Sequence, residues 1–183
     1  MVNSISQKKS ISRLLAVQAI FQMEASGQTL NKVKIEFEKY RVKTEIDGVY
    51  YKDFNVQHFR KIMDNAVKNQ KIIDKKVNKV LSESWKLPRI DPTLRAVFRV
   101  ASSEFIIYET PPKVIINEYL KLSEAFSTNE KQKGIVNAVL EKLARHFNVL
   151  EVSKKQVLIE SIVFRETSRR HSSRCRSSPN PFG

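Results

Sequence analysis

Apolar side chains return every three or four residues along most of this chain, and that period commits it to helices. Ile11, Leu14, Val17 and Phe21 form the first stripe, which Gly27 closes. Leu30, Val33, Phe37 and Tyr40 form a short second one. Phe59, Ile62, Met63, Ala66 and Val67 mark a third helix over residues 56–67, and Ile73, Val77, Val80 and Leu81 carry a fourth toward Trp85. Asp91 suits an N-cap and Pro92 a first helical position, so a fifth helix is predicted from there. Its stripe is Leu94, Val97, Phe98, Ala101, Phe105 and Tyr108. Pro111-Pro112 breaks the chain and starts a sixth helix over 113–126. Ser127 and Glu130 have capping-box spacing ahead of a seventh, with Val136, Val139, Leu140, Leu143 and Phe147 inward. Residues 41–53 read as a polar loop turning at Asp47-Gly48. Only 4 glycines and 6 prolines occur in 183 residues, too few for a strand-and-turn architecture. The predicted fold is all-α, a single compact helical bundle over residues 1–148.

The residues beyond 148 differ in character. Val157, Leu158, Ile159, Ile162 and Val163 are compatible with a peripheral helix or strand. From about residue 165 the chain is Ser/Arg-rich, with too few apolar groups to offset the entropy of ordering, and is expected to be disordered. The formal net charge is +14; residues 149–183 hold seven Lys and Arg against three Glu, which leaves +10 on residues 1–148. A basic surface of that size favours a polyanion, whether RNA, DNA or an anionic membrane.

Catalytic templates find no match. His58, His146 and His171 stand apart from one another, from the lone Cys175 and from paired carboxylates, so no metal-ligand spacing arises. There is no Gly-rich phosphate loop, and the expectation is a protein without catalysis, metal or cofactor. A single cysteine fits a reducing compartment, and no apolar run approaches a membrane span. Residues 1–23 lack acidic groups, as a mitochondrial transit peptide does, but the helical stripe within them favours a structural helix and a cytoplasmic protein.

Three polar-basic clusters are candidates for RNA contact. Lys8, Lys9 and Arg13 border a helix face softened by Ser12, Ala16 and Ala19, where a phosphate backbone can approach closely. That face is equally a seam on which another helix packs. Arg95 and Arg99, at i and i+4, present two guanidinium forks, or else pair within the molecule. Lys133 and Asn137 share a face of the last helix; Asn137 can donate to and accept from a base edge, or cap a neighbouring helix. Glu118 falls within an apolar arc, where a carboxylate is costly unless paired or hydrogen-bonded; the reading is a buried ion pair, with Arg99 as candidate partner, or a helix-end cap, ahead of a catalytic role.

Over residues 8–148 the chain resembles the NusB family. The residues that carry the likeness are Arg13-Leu14-Leu15-Ala16-Val17-Gln18-Ala19-Ile20-Phe21-Gln22, the run from Trp85 through Asp91-Pro92 to Phe105, Pro111-Pro112 to Glu118, and Ile135-Val136-Asn137-Ala138-Val139-Leu140. The resemblance implies an all-helical protein that binds boxA RNA with the ribosomal protein NusE and helps RNA polymerase read through terminators, notably in ribosomal RNA operons. It places RNA contact at Lys8, Lys9, Arg13 and 133–137, and NusE contact around Glu104 and the helix beginning at Lys113. Ser10 and Ile11 stand where the family commonly has Arg. Ile135 replaces an aromatic that would stack on a base, and Ala138 replaces a Gly. The extension 149–183 has no counterpart. Two alternatives stay open: an RNA-binding domain like that of rRNA cytosine methyltransferases, and an interaction module without RNA.

Overall fold

The computed structural model describes residues 2–41, 45–46, 49–50, 54–82, 85–107, 109–126 and 130–147. Its helices are α1 (Val2–Ser26), α2 (Leu30–Glu36), α3 (Val56–Lys68), α4 (Gln70–Val80), α5 (Pro92–Ile107), α6 (Pro112–Phe126) and α7 (Glu130–His146). The predicted boundaries are met by the predicted devices. Gly27, at φ 68°, donates its N–H to the Met23 carbonyl (2.9 Å) and ends α1 in the left-handed conformation that only glycine adopts without penalty. Asp91 Oδ1 accepts from the backbone N–H of Thr93 (2.8 Å) and Leu94 (3.2 Å), and Pro92 opens α5. Asn55 caps α3 by accepting from His58 N at 2.9 Å. The expected cap at Ser127 and the boundary at residue 148 lie outside the described residues.

One segment departs from the polar loop expected over residues 41–53. Two short strands, β1 (Glu45–Ile46) and β2 (Val49–Tyr50), pair antiparallel, Glu45 with Tyr50 and Ile46 with Val49. The register leaves two residues, Asp47-Gly48, between them. That dipeptide favours a tight hairpin when β-branched residues flank it, as Ile46 and Val49 do. Just before it, α2 runs into a π-turn, Phe37–Arg41, that delivers the buried Phe37 ring against Phe59.

The core is organised around α1 and α5. Each touches several other helices, and each is buried around most of its circumference. Ser12, Ala16 and Ala19, the small-residue face of α1, are fully buried rather than presented to a ligand. Small side chains let α3 and α5 approach α1 closely, so the seam is the observed arrangement. Ser12 Oγ is satisfied there, donating to the carbonyls of Lys8 (2.8 Å) and Asn55 (2.9 Å). Along α5, Ser102, Ser103 and Glu104 are buried together with the apolar stripe. Ser103 Oγ donates to Ile62 O (2.7 Å) and Asn65 Nδ2 donates to Ser103 O (2.8 Å), tying α5 to α3. Such a helix has no solvent face to expose its period.

Candidate nucleic-acid interface

The N-terminal cluster divides in two on folding. Lys8 and Lys9 remain partly exposed on α1, where Lys8 O accepts from Asn55 N at 3.3 Å. Arg13 is only 3% exposed, and its fork is committed inward. Its Nε donates to Glu104 Oε2 (2.9 Å), Nη2 to Glu104 Oε1 (2.7 Å) and Nη1 to Glu118 Oε2 (3.2 Å). The expectation that Arg13 meets RNA phosphates is therefore corrected: its guanidinium is buried and already neutralised.

Glu104 is corrected in the same way. Expected beside a partner surface, it is 1% exposed and stands at the junction of α1, α3, α5 and α6. Besides the Arg13 fork it accepts from Tyr119 Oη (2.9 Å), and His58 Nε2 lies 3.4 Å from Oε1 without the alignment of a hydrogen bond. Burial acts to raise the Glu104 pKa, but the neighbouring His58 and the Arg13 fork outweigh it and hold the carboxyl well below its ordinary range. Burial and that carboxylate push the Tyr119 hydroxyl up, so it stays protonated and donates. Glu118, partly exposed at the edge, accepts from Ser10 Oγ as well as Arg13. Its partner is thus Arg13 and not the expected Arg99.

Arg95 and Arg99 also turn inward. Arg99 places Nε and Nη2 on the two oxygens of Asp74 (2.8 and 3.0 Å) and Nη1 on Glu24 Oε2 (2.7 Å). Arg95 pairs with the other Glu24 oxygen and donates Nη1 to Leu87 O (2.9 Å) and Ile90 O (3.3 Å). This network joins α1, α4 and α5 to the 3₁₀ turn Leu87–Arg89, so of the two alternatives the sequence left open for these arginines the internal pairing is the one present.

The last cluster stays at the surface. Lys133 forms an exposed pair with Glu124 of α6 (2.7 Å), of the kind worth about 0–1 kcal/mol. Asn137 Nδ2 donates to Glu141 Oε1 (3.2 Å), and Ile135 beside them is 45% exposed. The Ser10 end of α1 is anchored on α6 at Glu118, and Lys133 of α7 at Glu124. Those six residues span about 9 Å of helix axis. Helix α6 therefore bridges the two surviving clusters. Lys113, on its first turn, is exposed, as are Val114 and Asn117.

Sequence reasoning missed His58 and Tyr119 as neighbours of Glu104, and Glu24 and Asp74 as partners of Arg95 and Arg99. Nothing in their spacing announces the pairing, because each comes from a different helix. Only Glu118, a carboxylate in an apolar arc, gave a local signal.

The NusB family pattern matches residues 10–145. A transcription antitermination protein NusB of Brucella abortus (strain S19) is 39% identical over 140 residues, covering 76% of this chain and 81% of its own. The chain belongs to the NusB family. Solved family folds agree with its architecture. NusB of T. maritima superposes with a TM-score of 0.61 at 22% identity, over 75% of this chain and 90% of that one. A chain from the crystal structure of antitermination factors NusB and NusE in complex with double-stranded RNA gives 0.61 at 20% identity, over 76% and 98%. Among the described residues no group of side chains could hold a metal ion, and no helix is long and apolar enough to cross a membrane.

Proposed function

We propose that this chain is a transcription antitermination factor of the cytoplasm that binds boxA-type single-stranded RNA together with ribosomal protein NusE, without catalysis of its own. The observation that carries this reading is family membership running from α1 to α7, with relatives named for antitermination and one of them crystallised with NusE and RNA. Lys8 and Lys9 on α1 supply phosphate contacts, and Lys133 and Asn137 on α7 complete the RNA surface across α6. Joining this surface to that of NusE raises the effective affinity of two weak sites. NusE is assigned to the exposed face of α6 that begins at Lys113. RNA polymerase is engaged indirectly, through the assembled complex.

Replacing Lys8 and Lys9 together by alanine tests the RNA surface. The log–log salt slope of binding to a boxA-like RNA should become shallower by about 1.4, at about 0.7 per lost phosphate contact. Thermal stability should barely change, since neither lysine is buried. Fluorescence anisotropy with and without NusE measures both affinities; an unchanged slope would remove Lys8 and Lys9 from the interface.

Residues 149–183 are proposed to be dispensable for the fold and for preference among RNA sequences. A chain ending at residue 148 should stay helical by circular dichroism and still prefer boxA over scrambled RNA. Its total affinity should fall, because seven cations leave with the extension. Loss of the helical signal would show that 149–164 belong to the core.

A further inference from the structure

We propose that the α4–α7 side of the molecule is a second, sequence-independent track for the RNA phosphate backbone, separate from the surface bridged by α6. This rests on the RNA-binding reading above. Lys71, Lys75 and Lys79 stand at i, i+4 and i+8 on α4, about 6 Å apart along its axis and on one exposed face. The stripe runs into a cleft of about 510 Å³ lined by Lys79, Lys142, Arg145 and His146, where the C-terminal ends of α4 and α7 meet. The two helices are clamped there: Lys76 Nζ donates to His146 O (2.8 Å) and sits 4.1 Å above the Phe147 ring.

The charge of this track is not cancelled within the described residues. The one acid of α4, Asp74, is held by the Arg99 fork, and Glu141 reaches Arg145 only loosely, at 3.5 Å. Lys71, Lys75, Lys79 and Lys142 meet no carboxylate among the described residues. Helix stability does not explain the pattern. Cations in a last turn favour the helix dipole, which accounts for Lys79 and Arg145. Lys71 instead sits in the first turn of α4, where a cation is unfavourable, and like charges at i and i+4 destabilise a helix by a few tenths of a kcal/mol. A stripe that weakens its own helix gains from a bound polyanion. Three cations at regular steps suit successive phosphates better than a compact anion, and the amide between Lys75 and Lys79, Asn78, is engaged by the Leu87 N–H (3.0 Å), which suits contact without base reading.

The test uses the full chain and the variant Lys71→Ala/Lys75→Ala/Lys79→Ala. Affinity for a long oligouridylate should fall about tenfold at low salt, and its log–log salt slope should become shallower by about 2. Affinity for a short boxA-like RNA, which fills only the surface bridged by α6, should be unchanged, and α4 should be no less stable. The corresponding Lys→Arg triple variant should bind the long RNA as the natural chain does. An unaltered slope on the long RNA overturns the proposal. So does a loss confined to acidic phospholipid vesicles, which would make the stripe a membrane contact. Failure of the RNA reading itself is distinct: the natural chain would then not bind the short RNA at all.

Discussion

Glu104→Ala is expected to destabilise the protein by about 3–5 kcal/mol, because it strands a buried cation. The Arg13 guanidinium, 3% exposed, would lose its bidentate partner and keep only the 3.2 Å contact to Glu118. Tyr119 Oη would lose its acceptor in a fully buried site. Arg13→Ala should cost a similar amount, leaving the Glu104 carboxylate unpaired. Replacing both, as in Arg13→Met/Glu104→Leu, should cost clearly less than the two single losses combined, since neither charge is then left alone. Urea unfolding of the natural chain, Arg13→Met, Glu104→Leu and the double variant closes the cycle; additive losses would show that the pair is not the unit. The contrast with Lys8/Lys9→Ala is diagnostic. One pair of changes should lower stability and the other the salt slope, although Arg13 lies four residues from Lys9.

The same carboxylate sets an acid limit. Its folded pKa lies below the unfolded value near 4.5, so folding favours the ionised form. The resulting stability is fully present above about pH 4.5 and is lost as pH falls toward the folded value. Unfolding midpoints should therefore drop between pH 5 and pH 3 more steeply in the natural chain than in Arg13→Met/Glu104→Leu. Parallel curves would assign the acid limit to other carboxylates.

Phe59→Ala should destabilise by about 3–5 kcal/mol through a different cause, a cavity. Phe59 is fully buried on α3, stacked on Phe37 (6.1 Å between centroids, 18° between planes) and edge-on to Phe54 (5.6 Å, 88°). Those rings hold the π-turn after α2 and Phe54, two residues before α3, to the core. Truncation removes the centre of the cluster, so both neighbours lose contact area and aromatic geometry together. Phe59→Leu should cost markedly less, because it keeps most of the volume. A Phe59→Ala loss below about 1 kcal/mol would mean that the cluster collapses to fill the space. Backbone amide exchange should quicken first in α2, which depends on this contact more than α5 does.

The helices were legible because their determinants are local. Asp91 with Pro92, Gly27 and the 3.6-residue recurrence of apolar groups act within a few residues of themselves and gave the predicted starts and stops, although on α1 the small-residue face went inside and Phe21 stayed exposed. The short strands beside Asp47-Gly48 were not read, since four residues of pairing leave hardly any alternation to detect. The candidate site was legible only in part. Lys8, Lys9, Lys133 and Asn137 stay outside, as a polar residue on a helix does by default. Arg13, Arg95, Arg99 and Glu104 went inside because carboxylates or cations from other helices awaited them. The all-helical class, the order of the helices among the described residues and the positive charge were thus determined by the sequence alone. Which helices became central, and hence which charged residues were drawn inward as pairs and which stayed at the surface, was decided only by the tertiary structure. The physical reason is that a charge is buried only against a partner, and Glu104 lies 91 residues from Arg13 along the chain.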